Sequence, residues 1–449
     1  MRQPSFLIPD IREMLVPEKK QELMEALQEF HPVDVAEVVV GLNEEEQASF
    51  FRLLDKDKQI AVFEELDQEE QAALLTSLTK EHSKELLNAM SADDRVDLLQ
   101  ELPDEIAQRL LESLTESERK LTERLLKYRP KTAGAIMTPE FASVNAHMSV
   151  QQALQVLRET APNKEMIYYV YVTDDHARLI GILSLKDLVL ARPEQLIQEI
   201  CSGYVISVTA DQHQEEVTRV IEKYDFLALP VVDEQGKLLG IVTVDDVMDV
   251  VKRESTEDIH KMAAIIPHEE EYFKIPIHGL INRRIGWLIA FLLLELVTSG
   301  VLRSYRSQLE STVALAFFIP LLLGTGGNAG TQSATLIIRG LATGELGTAQ
   351  LLRILFREGT VGLLMGGILG ILAAIRAYLM VPNFFLSVTI GITLIAILVL
   401  ATMAGSIFPI ILRKLKFDPA VAAGPFIATM IDATALFIYF EIAKAILHI

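Results

Sequence analysis

Apolar and polar positions divide the chain into two unlike halves. From residue 285 onward, apolar runs recur that are long enough to cross a bilayer, which requires about 20 residues of helix. These runs predict five membrane-spanning helices, at residues 285–302, 313–338, 359–379, 386–412 and 420–447. A buried soluble core is the alternative interpretation, but soluble cores rarely produce apolar runs of this length.

Residues 42–114 carry a repeat with a period of twelve. A leucine or methionine recurs at the same position of each repeat: Leu42, Leu54, Leu66, Leu78, Met90, Leu102 and Leu114. The next residue in each repeat is one that begins helices well: Asn43, Asp55, Asp67, Thr79, Ser91, Pro103 and Thr115. Glu46, Glu70 and Glu118 stand three residues after their caps, the spacing of a capping box. The pattern predicts a solenoid of short helices that buries a core only by stacking neighbours.

A second internal repeat lies within residues 137–251. Residues 179–188 match residues 238–247 at an offset of 59. Each copy is typical of strand, turn, strand and helix, with strands expected at residues 168–172, 180–184, 228–232 and 239–243. This pattern resembles a pair of CBS domains, which implies that the copies dock together and bind an adenine nucleotide or a metal ion in their cleft.

A Ser/Thr-x-x-Asp element closes each copy, at Ser184–Asp187 and at Thr243–Asp246. In CBS domains the aspartate of this element contacts a ribose. Capping of the following helix is the alternative role, and one residue can serve both.

Charge is distributed as unevenly as hydropathy. Residues 281–449 hold twelve Lys+Arg and seven Asp+Glu, which gives them a net charge of +5. Because the net charge of the whole chain is −20, residues 1–280 have a net charge of −25. Such an acidic head attracts cations and repels nucleic acid, so no nucleic-acid partner is expected. The single cysteine, Cys201, excludes an intrachain disulfide, and charges interrupt the first 29 residues, which show no signal segment. Both features favour a cytoplasmic head.

Basic residues near the ends of the spans indicate the orientation. A cytoplasmic head places eight of them inside: Arg283, Arg284, Arg339, Arg353, Arg357, Arg413, Lys414 and Lys416. Four lie outside: Arg303, Arg306, Arg376 and Lys444. Five crossings then leave the C-terminus on the extracytoplasmic side of a plasma membrane.

The second span contains Pro320 and the run Gly324-Thr325-Gly326-Gly327-Asn328-Ala329-Gly330. So many glycines are expected to loosen a helix and free backbone carbonyls, which a membrane tolerates only where protein or water meets the backbone. Close helix packing through small residues is the alternative. The combination of proline, glycines and asparagine favours a pore lining.

The fifth span contains a carboxylate, Asp432, deep in its apolar run. A charge there is costly unless it meets water, a cation or a partner, and the span has no basic residue before Lys444. Pro425 is expected to leave the Val421 carbonyl without its amide partner. This arrangement favours an ion pathway over a structural ion pair. Glu295 and Glu441 are weaker candidates, and Glu441 can pair with Lys444.

Two further acidic segments lie in the head. Asp93, Asp94 and Asp97 share one twelve-residue repeat, either as a solvated face or as half of a cation site completed by another domain. A helix-prone stretch at residues 245–265 joins the CBS pair to the first span, either as a plain linker or as a rigid rod that transmits motion. It carries six carboxylates: Asp245, Asp246, Asp249, Glu254, Glu257 and Asp258.

An acidic helical head, tandem CBS domains, a connecting helix and five spans together resemble the MgtE family of magnesium channels. The most specific motifs are the glycine run at Gly324–Gly330 and Pro-x-x-x-Thr-x-x-Asp at Pro425–Asp432. Asp-Asp-x-x-Asp at Asp93–Asp97 and Glu-Asp-Ile-His at Glu257–His260 also match. The implied fold is multidomain: an α-helical short-repeat solenoid, an α/β CBS pair, a connecting helix and an all-α transmembrane domain. The expected boundaries are residues 1–130, 131–251 (repeats 137–201 and 202–251), 252–280 and 281–449.

The resemblance implies a homodimer in the lipid bilayer with the pore on its two-fold axis. Asp432 of each chain would hold a largely hydrated magnesium ion, with the carbonyls of Ala428, Gly324 and Gly327 and the side chain of Asn328 nearby. It further assigns regulatory magnesium sites to eight carboxylates: Asp93, Asp97, Asp225, Asp246, Asp249, Glu257, Asp258 and Asp418. ATP is implied near Tyr169, Asp187 and Phe226. Two positions depart from the family pattern, Thr331 and Gly424, where asparagine is frequent.

These features predict magnesium uptake that cytoplasmic magnesium closes by bridging carboxylates of the head. The alternatives are a nucleotide-regulated transporter of cobalt, nickel or manganese, or of another small solute such as an osmolyte. A membrane-embedded hydrolase is disfavoured, because the spans contain no His-x-x-x-His or His-Glu-x-x-His motif and the only histidine beyond residue 278 is His448. We therefore expect no enzymatic activity.

Overall fold

The computed structural model describes residues 8–15, 19–161, 164–268, 272–422 and 424–449. The chain divides into two compact units, residues 1–251 and residues 252–449.

Ten helices form the first part of unit one within the described residues: α1 (Ile8–Met14), α2 (Lys20–Glu29), α3 (Pro32–Val40), α4 (Glu44–Phe51), α5 (Lys56–Glu64), α6 (Gln68–Ser77), α7 (Lys80–Ala89), α8 (Ala92–Glu101), α9 (Asp104–Ser113) and α10 (Glu116–Leu125). The predicted starts of α4 to α10 are confirmed, because each of these helices begins one residue after its expected cap. The cap side chain accepts a backbone hydrogen bond in five of them, but not at Ser91 or Pro103. The repeated Leu/Met positions are buried, except Leu102, which packs partly buried against the same core. The solenoid thus follows from the twelve-residue period.

The capping boxes are only partly as predicted. Those of Asn43 with Glu46 and of Asp67 with Glu70 are present. Glu118 was expected to complete a third box, but this prediction is wrong. Its side chain instead accepts a 2.5 Å hydrogen bond from Arg95, whose side chain is fully buried and also donates to the Leu87 carbonyl. Leaving a buried guanidinium without a counter-charge costs more free energy than losing the second hydrogen bond of a capping box.

The rest of unit one consists of two similar α/β repeats, each with its own three-stranded sheet. Its elements are β1 (Phe141–Asn145), α11 (Val150–Thr160), β2 (Met166–Thr173), β3 (Leu179–Ser184), α12 (Leu185–Leu190), α13 (Ile197–Ile200), β4 (Val208–Thr209), α14 (Gln214–Tyr224), β5 (Ala228–Val232) and β6 (Leu238–Thr243). The described strands form two three-stranded sheets, β1-β2-β3 and β4-β5-β6, in which the first pair is parallel and the second antiparallel. The predicted strand pairs are confirmed within two residues at each end. The α15 helix (Val244–Met262) follows β6 directly.

Unit two is helical: α16 (Ile277–Ser304), α17 (Arg306–Ser311), α18 (Ile319–Ala342), α19 (Leu351–Met380), α20 (Phe384–Lys414) and α21 (Gly424–Leu447), with 3₁₀ turns at Val313–Phe318, Thr348–Gln350 and Pro419–Ala422. Within the described residues, five helical segments are long and apolar enough to cross a membrane. They contain the five predicted spans, apart from the start of the fifth. The described core of this unit lies mainly where α20 packs against α18, α19 and α21.

The expected loosening of two spans does not occur. The glycine run lies inside α18, which is continuous from Ile319 to Ala342. Its glycines allow close packing instead: a Cβ at Gly330 would collide with the side chain of Ile431 on α21. Pro425 is the second residue of α21, where a helix needs no amide donor, so it begins the helix and does not kink it.

Candidate functional site

Three of the sequence-predicted pore residues, Gly327, Ala428 and Asp432, meet at the contact of α18 with α21. A Cβ at Gly327 would lie 3.3 Å from Cβ of Ala428 and 4.0 Å from Oδ1 of Asp432, so glycine at this position lets the two helices approach. The Asp432 side chain is half-buried, whereas Gly324 and Asn328, one helical turn apart on α18, are exposed. The structure therefore places a carboxylate beside an open polar edge of α18.

Glu295 adds a second carboxylate to this region. It lies within α16, is exposed in the single chain, and is close enough for its charge to act on Asp432. Carboxylates at the depth of a spanning helix are costly against lipid and normally face water, a cation or another protein surface. Glu295 and Asp432 are therefore unsuited to face lipid.

The two positions that depart from the family pattern contact each other. The Thr331 hydroxyl donates a 3.4 Å hydrogen bond to the carbonyl of Gly424, which starts α21. A Cβ at Gly424, whose φ is +25°, would lie 3.1 Å from the Met262 carbonyl at the end of α15. Glycine at position 424 thus lets the end of α15 approach the start of α21.

An ion pair links the same two regions. Lys261 Nζ lies 2.6 Å from Oδ2 of Asp418 and 2.5 Å from Oε1 of Glu257. Burial lowers the pKa of Lys261, but its hydrogen bonds to Asp418 and Glu257 outweigh burial, so its net pKa lies above the usual range. Two carboxylates predicted as metal ligands are therefore held here by an ammonium group of the chain itself.

A larger acidic cluster lies inside unit one. It joins the end of α5 and the start of α8 to residues that precede β1 and β2 or lie in the first two turns of α15: Glu64, Asp93, Asp94, Glu140, Glu165, Asp245, Asp246 and Asp249. Oδ1 of Asp93 is buried and has no hydrogen-bond partner. The sequence-predicted residues Asp93, Asp246 and Asp249 are thus brought into one region.

Burial and mutual repulsion raise the pKa values of this cluster. Burial raises the pKa of Glu64 to about 7, with a further contribution from the charge of Asp94. Burial, followed by the charges of Asp245 and Asp94, raises the pKa of Asp246 to about 7 against the opposing hydrogen bond from Thr243. The pKa of Asp93 lies well above its usual range, mainly through burial and the charge of Asp246. The cluster therefore favours protons or cations as partners.

Sequence reasoning missed three members of this cluster. Glu64 ends α5, and its Oε1 accepts a hydrogen bond from the amide of Ser91. Glu140 and Glu165 directly precede β1 and β2, and burial raises the pKa of both. Each is far from Asp93 in sequence, so no local pattern marks it.

Within the described residues, no group of three or more His, Cys, Asp or Glu side chains is arranged to hold a metal ion directly.

The other predicted regulatory residues occupy separate positions. Asp97 lies half-buried one turn after Asp93 on α8. Asp225 caps the C-terminus of α14 with a φ of 52° and is exposed. Asp258 lies half-buried on α15 beside Glu257.

The three predicted nucleotide contacts line one cavity. Tyr169, Asp187 and Phe226 border a space of about 280 Å³ between the two CBS repeats, together with Tyr204 and Pro230. Ser184 donates to Oδ2 of Asp187 from its hydroxyl at 2.6 Å and from its amide at 3.1 Å, which lowers the pKa of Asp187. Asp187 is therefore a charged acceptor that completes the capping box of α12 and borders the cavity. The apolar and aromatic lining suits a planar base.

Two other carboxylates of unit two are paired. Glu441 accepts hydrogen bonds from the hydroxyl of Tyr305 at 2.7 Å and from Lys444 at 3.1 Å, so its predicted pairing is confirmed. Glu358 lies in α19 and accepts a 2.6 Å hydrogen bond from the Ser333 hydroxyl. Both glutamates thus have described partners.

Three family descriptions match this chain. The intracellular N domain of MgtE matches residues 30–131, CBS domains match residues 133–194 and 197–253, and the MgtE divalent cation transporter domain matches residues 319–442. These matches cover the solenoid, the α/β pair and most of the helical unit.

Several whole relatives and solved structures are also similar. The magnesium transporter MgtE of Thermus thermophilus is 44% identical over 341 residues, 76% of each chain. That of Bacillus subtilis is 41% identical over 75% of this chain and 74% of its own. The cytosolic domain of the Mg²⁺ channel MgtE in complex with ATP has a TM-score of 0.52 and 40% identity, and covers 55% of this chain and 99% of its own. The soluble part of a magnesium transporter has a TM-score of 0.53 and 34% identity, and covers 56% and 99%.

Proposed function

Because this chain belongs to the MgtE family of divalent cation transporters, we propose that it takes up Mg²⁺ through a membrane pore lined by Asp432. The observation that carries the proposal is the half-buried Asp432 carboxylate beside Gly327 and Ala428, with Glu295 close by. Uptake of Mg²⁺ into liposomes that contain the purified chain tests it. Faster uptake of cobalt, nickel or manganese would contradict magnesium selectivity.

The chemistry of the site suits a hydrated ion. Magnesium keeps its water ligands tightly and prefers octahedral oxygen coordination. Because α18 is continuous, we expect the Gly324 and Gly327 carbonyls to keep their helical hydrogen bonds and to contact the water shell of the ion. One carboxylate per chain attracts the ion without holding it too firmly, which conduction requires.

We further propose a homodimer whose two Asp432 side chains face one pore. Glu295 and Asn328 support it, since both are exposed in the single chain within spanning helices and a second copy would shield them from lipid. The proposed topology is a plasma membrane protein with a cytoplasmic head and an extracytoplasmic C-terminus.

The dimer predicts a specific disulfide cross-link. In a Cys201→Ser background, Asn328→Cys should form a covalent dimer under mild oxidation, because only residues near the two-fold axis bring their Cα atoms within about 7 Å. Leu372→Cys, on the exposed face of α19, is the matched control and should remain monomeric on a denaturing gel. A monomer by native mass spectrometry that still conducts Mg²⁺ would refute the dimer.

Regulation is proposed to act through the acidic residues and α15. Mg²⁺ would bridge the cluster around Asp93 and Asp246 and hold the head compact, which biases a two-state equilibrium toward a closed pore. Asp97, Asp225, Asp249 and Asp258 are proposed as further ligands. At Glu257 and Asp418, Mg²⁺ would compete with the Lys261 ammonium group, which already occupies both carboxylates.

ATP is the proposed ligand of the cavity lined by Tyr169, Asp187 and Phe226. Asp187→Asn should weaken ATP binding by about tenfold, since it removes a charged acceptor for ribose hydroxyls. Isothermal calorimetry on the full chain, with and without Mg²⁺, measures this. Asp246→Asn, at the equivalent position of the second repeat, is the matched control and should bind normally. No heat with the unmodified chain would exclude ATP, and equal affinity in Asp187→Asn would exclude the ribose contact.

A further inference from the structure

An apolar groove lies between α20 and α21 of unit two. It consists of two adjoining cavities, of about 240 Å³ and 230 Å³, and Phe408 lines both of them. One stripe of each helix lines the first cavity: Leu400, Ala404 and Ile407 on α20, and Ile427, Met430 and Thr434 on α21. The second cavity borders α16 and the segment that joins α20 to α21, through Trp287, Leu412, Phe417, Val421 and Phe426.

The spacing of the lining residues makes the groove follow the helix axes. Leu400, Ala404 and Ile407 recur every three or four residues, so they lie on one face of α20. From Leu400 to Leu412 the helix rises by about 18 Å, whereas one leaflet of the hydrocarbon core is about 15 Å thick. Leu412 directly precedes Arg413, at the end of the span that the proposed orientation places in the cytoplasm. The groove therefore has the length and position of one leaflet.

The lining residues that carry a hydrogen-bonding oxygen are already satisfied. The Thr434 hydroxyl donates to the Met430 carbonyl at 3.0 Å. Oδ2 of Asp418, which borders the second cavity, lies 2.6 Å from Lys261 Nζ, and its Oδ1 accepts a 2.9 Å hydrogen bond from the Ala420 amide. Apolar cavities without free polar partners do not hold water. The chemistry of the groove thus suits a hydrocarbon chain.

The groove faces away from the proposed pore. Met430 and Thr434 stand two residues before and after Asp432, so on a helix they lie about 160° around α21 from it. A second copy that meets this chain at Asp432 therefore leaves the groove toward lipid. The neighbouring α16 has little protein around it, since among its residues, all of them described, only Thr298 is buried. Acyl chains rather than protein are thus the neighbours available to this side of the unit.

We propose that the groove binds one acyl chain of a phospholipid from the cytoplasmic leaflet. The chain would fill the space between Trp287 on α16 and the stacked rings of Phe408 and Phe426, whose centroids are 5.1 Å apart. It would thereby hold the poorly packed α16 against α20 and α21, next to the Asp418–Lys261 ion pair. The choice of leaflet rests on the proposed orientation, whereas the binding itself does not rest on magnesium transport.

Trp287 provides the test, because it is the only tryptophan of the chain and it lines the groove. The full purified chain is placed in detergent micelles with a small, increasing fraction of phosphatidylcholine that carries bromine midway along one acyl chain, which quenches a nearby indole. Trp287 fluorescence should fall at a low lipid fraction in the unmodified chain. In Val421→Phe, which fills the groove beside Trp287, half-quenching should need at least about tenfold more lipid, because losing the burial of about two methylene groups already has this effect.

Val361→Phe is the matched control, since it makes the same substitution on α19, where Val361 is 38% exposed and lies outside the groove. It should quench as the unmodified chain does. An equal shift in both variants, or no shift in Val421→Phe, would refute the groove because it would indicate a non-specific lipid shell. Equal unfolding temperatures exclude misfolding, and Ala404→Leu, which narrows the first cavity, should shift the titration in the same direction if Val421→Phe is unstable.

Two further results would assign the groove to another occupant. Quenching by brominated oleic acid but not by the brominated phospholipid would indicate a free fatty acid and overturn the proposal. In a Cys201→Ser background, Met430→Cys should remain monomeric under mild oxidation. A disulfide-linked dimer would instead show that a helix of a second copy covers the groove. Failure of Mg²⁺ uptake would not affect any of these readouts.

Discussion

We expect Asp432→Asn to lower Mg²⁺ uptake strongly while the chain still folds and reaches the membrane. Asparagine preserves the shape of the side chain and its fit against Gly327 and Ala428, so packing is retained and only the charge is lost. A unit charge about 4 Å away contributes on the order of 4 kcal/mol at an effective dielectric constant of 20, and water in a pore reduces this value. Uptake into liposomes, followed with a Mg²⁺-sensitive dye, should therefore fall by at least about tenfold.

Glu441→Gln is the matched control for this experiment. It makes the same carboxylate-to-amide change on the same helix, but Glu441 is held by Tyr305 and Lys444 near the end of α21. This variant should conduct normally. Wild-type uptake by Asp432→Asn would remove Asp432 from the pore, and an equal loss in both variants would indicate general damage to α21.

We also expect the acidic cluster to control the response of the head to Mg²⁺. In the unmodified chain, limited proteolysis should show residues 1–251 becoming more resistant as Mg²⁺ rises toward the roughly 10⁻³ M range typical of weak carboxylate sites. Asp93→Asn with Asp246→Asn should flatten this response, because each removes one side of a cation bridge. Deletion of residues 1–130 should leave the pore open at higher Mg²⁺ for the same reason.

The control for the cluster is Asp187→Asn, which changes the residue equivalent to Asp246 in the first repeat and should leave the Mg²⁺ response intact. A cleavage pattern that is constant from no added Mg²⁺ to tens of millimolar in the unmodified chain would refute the gating proposal. The pore assignment would remain unaffected by that result.

Protons should partly replace Mg²⁺ in the same assay. The carboxyls of Glu64 and Asp246 have pKa values near 7 in the compact arrangement, against a usual value of about 4. The compact form therefore binds more protons than a separated form between about pH 4 and 7, so its stability rises as pH falls through 7 and is lost as pH rises. Without Mg²⁺, resistance to protease should increase from pH 8 to pH 6, and less so in the Asp93/Asp246 variant.

Local structure followed directly from local sequence. The caps of α4 to α10 and the paired strands depend on residues within about four positions of one another, so period and capping chemistry suffice to predict them. The five spans depend only on the length of an apolar run. The meeting of Tyr169, Asp187 and Phe226 at one cavity came from the resemblance, and the structure places all three there.

Packing decided what local sequence did not. Glycines that could break α18 instead bring it against α21, because neighbouring helices supply the burial that stabilises a continuous helix.

Long-range charge partners were equally hidden. Glu118 forms an ion pair with the buried Arg95 and does not complete the expected capping box. Glu64, Glu140 and Glu165 lie in the same acidic cluster as Asp93, although they are distant from it in sequence. The sequence by itself thus determined the elements, the spans and the total charge of each half. Only the tertiary structure decided which carboxylates share one site and which are neutralised by a lysine or an arginine, since a charge selects its partner by distance in space and by burial.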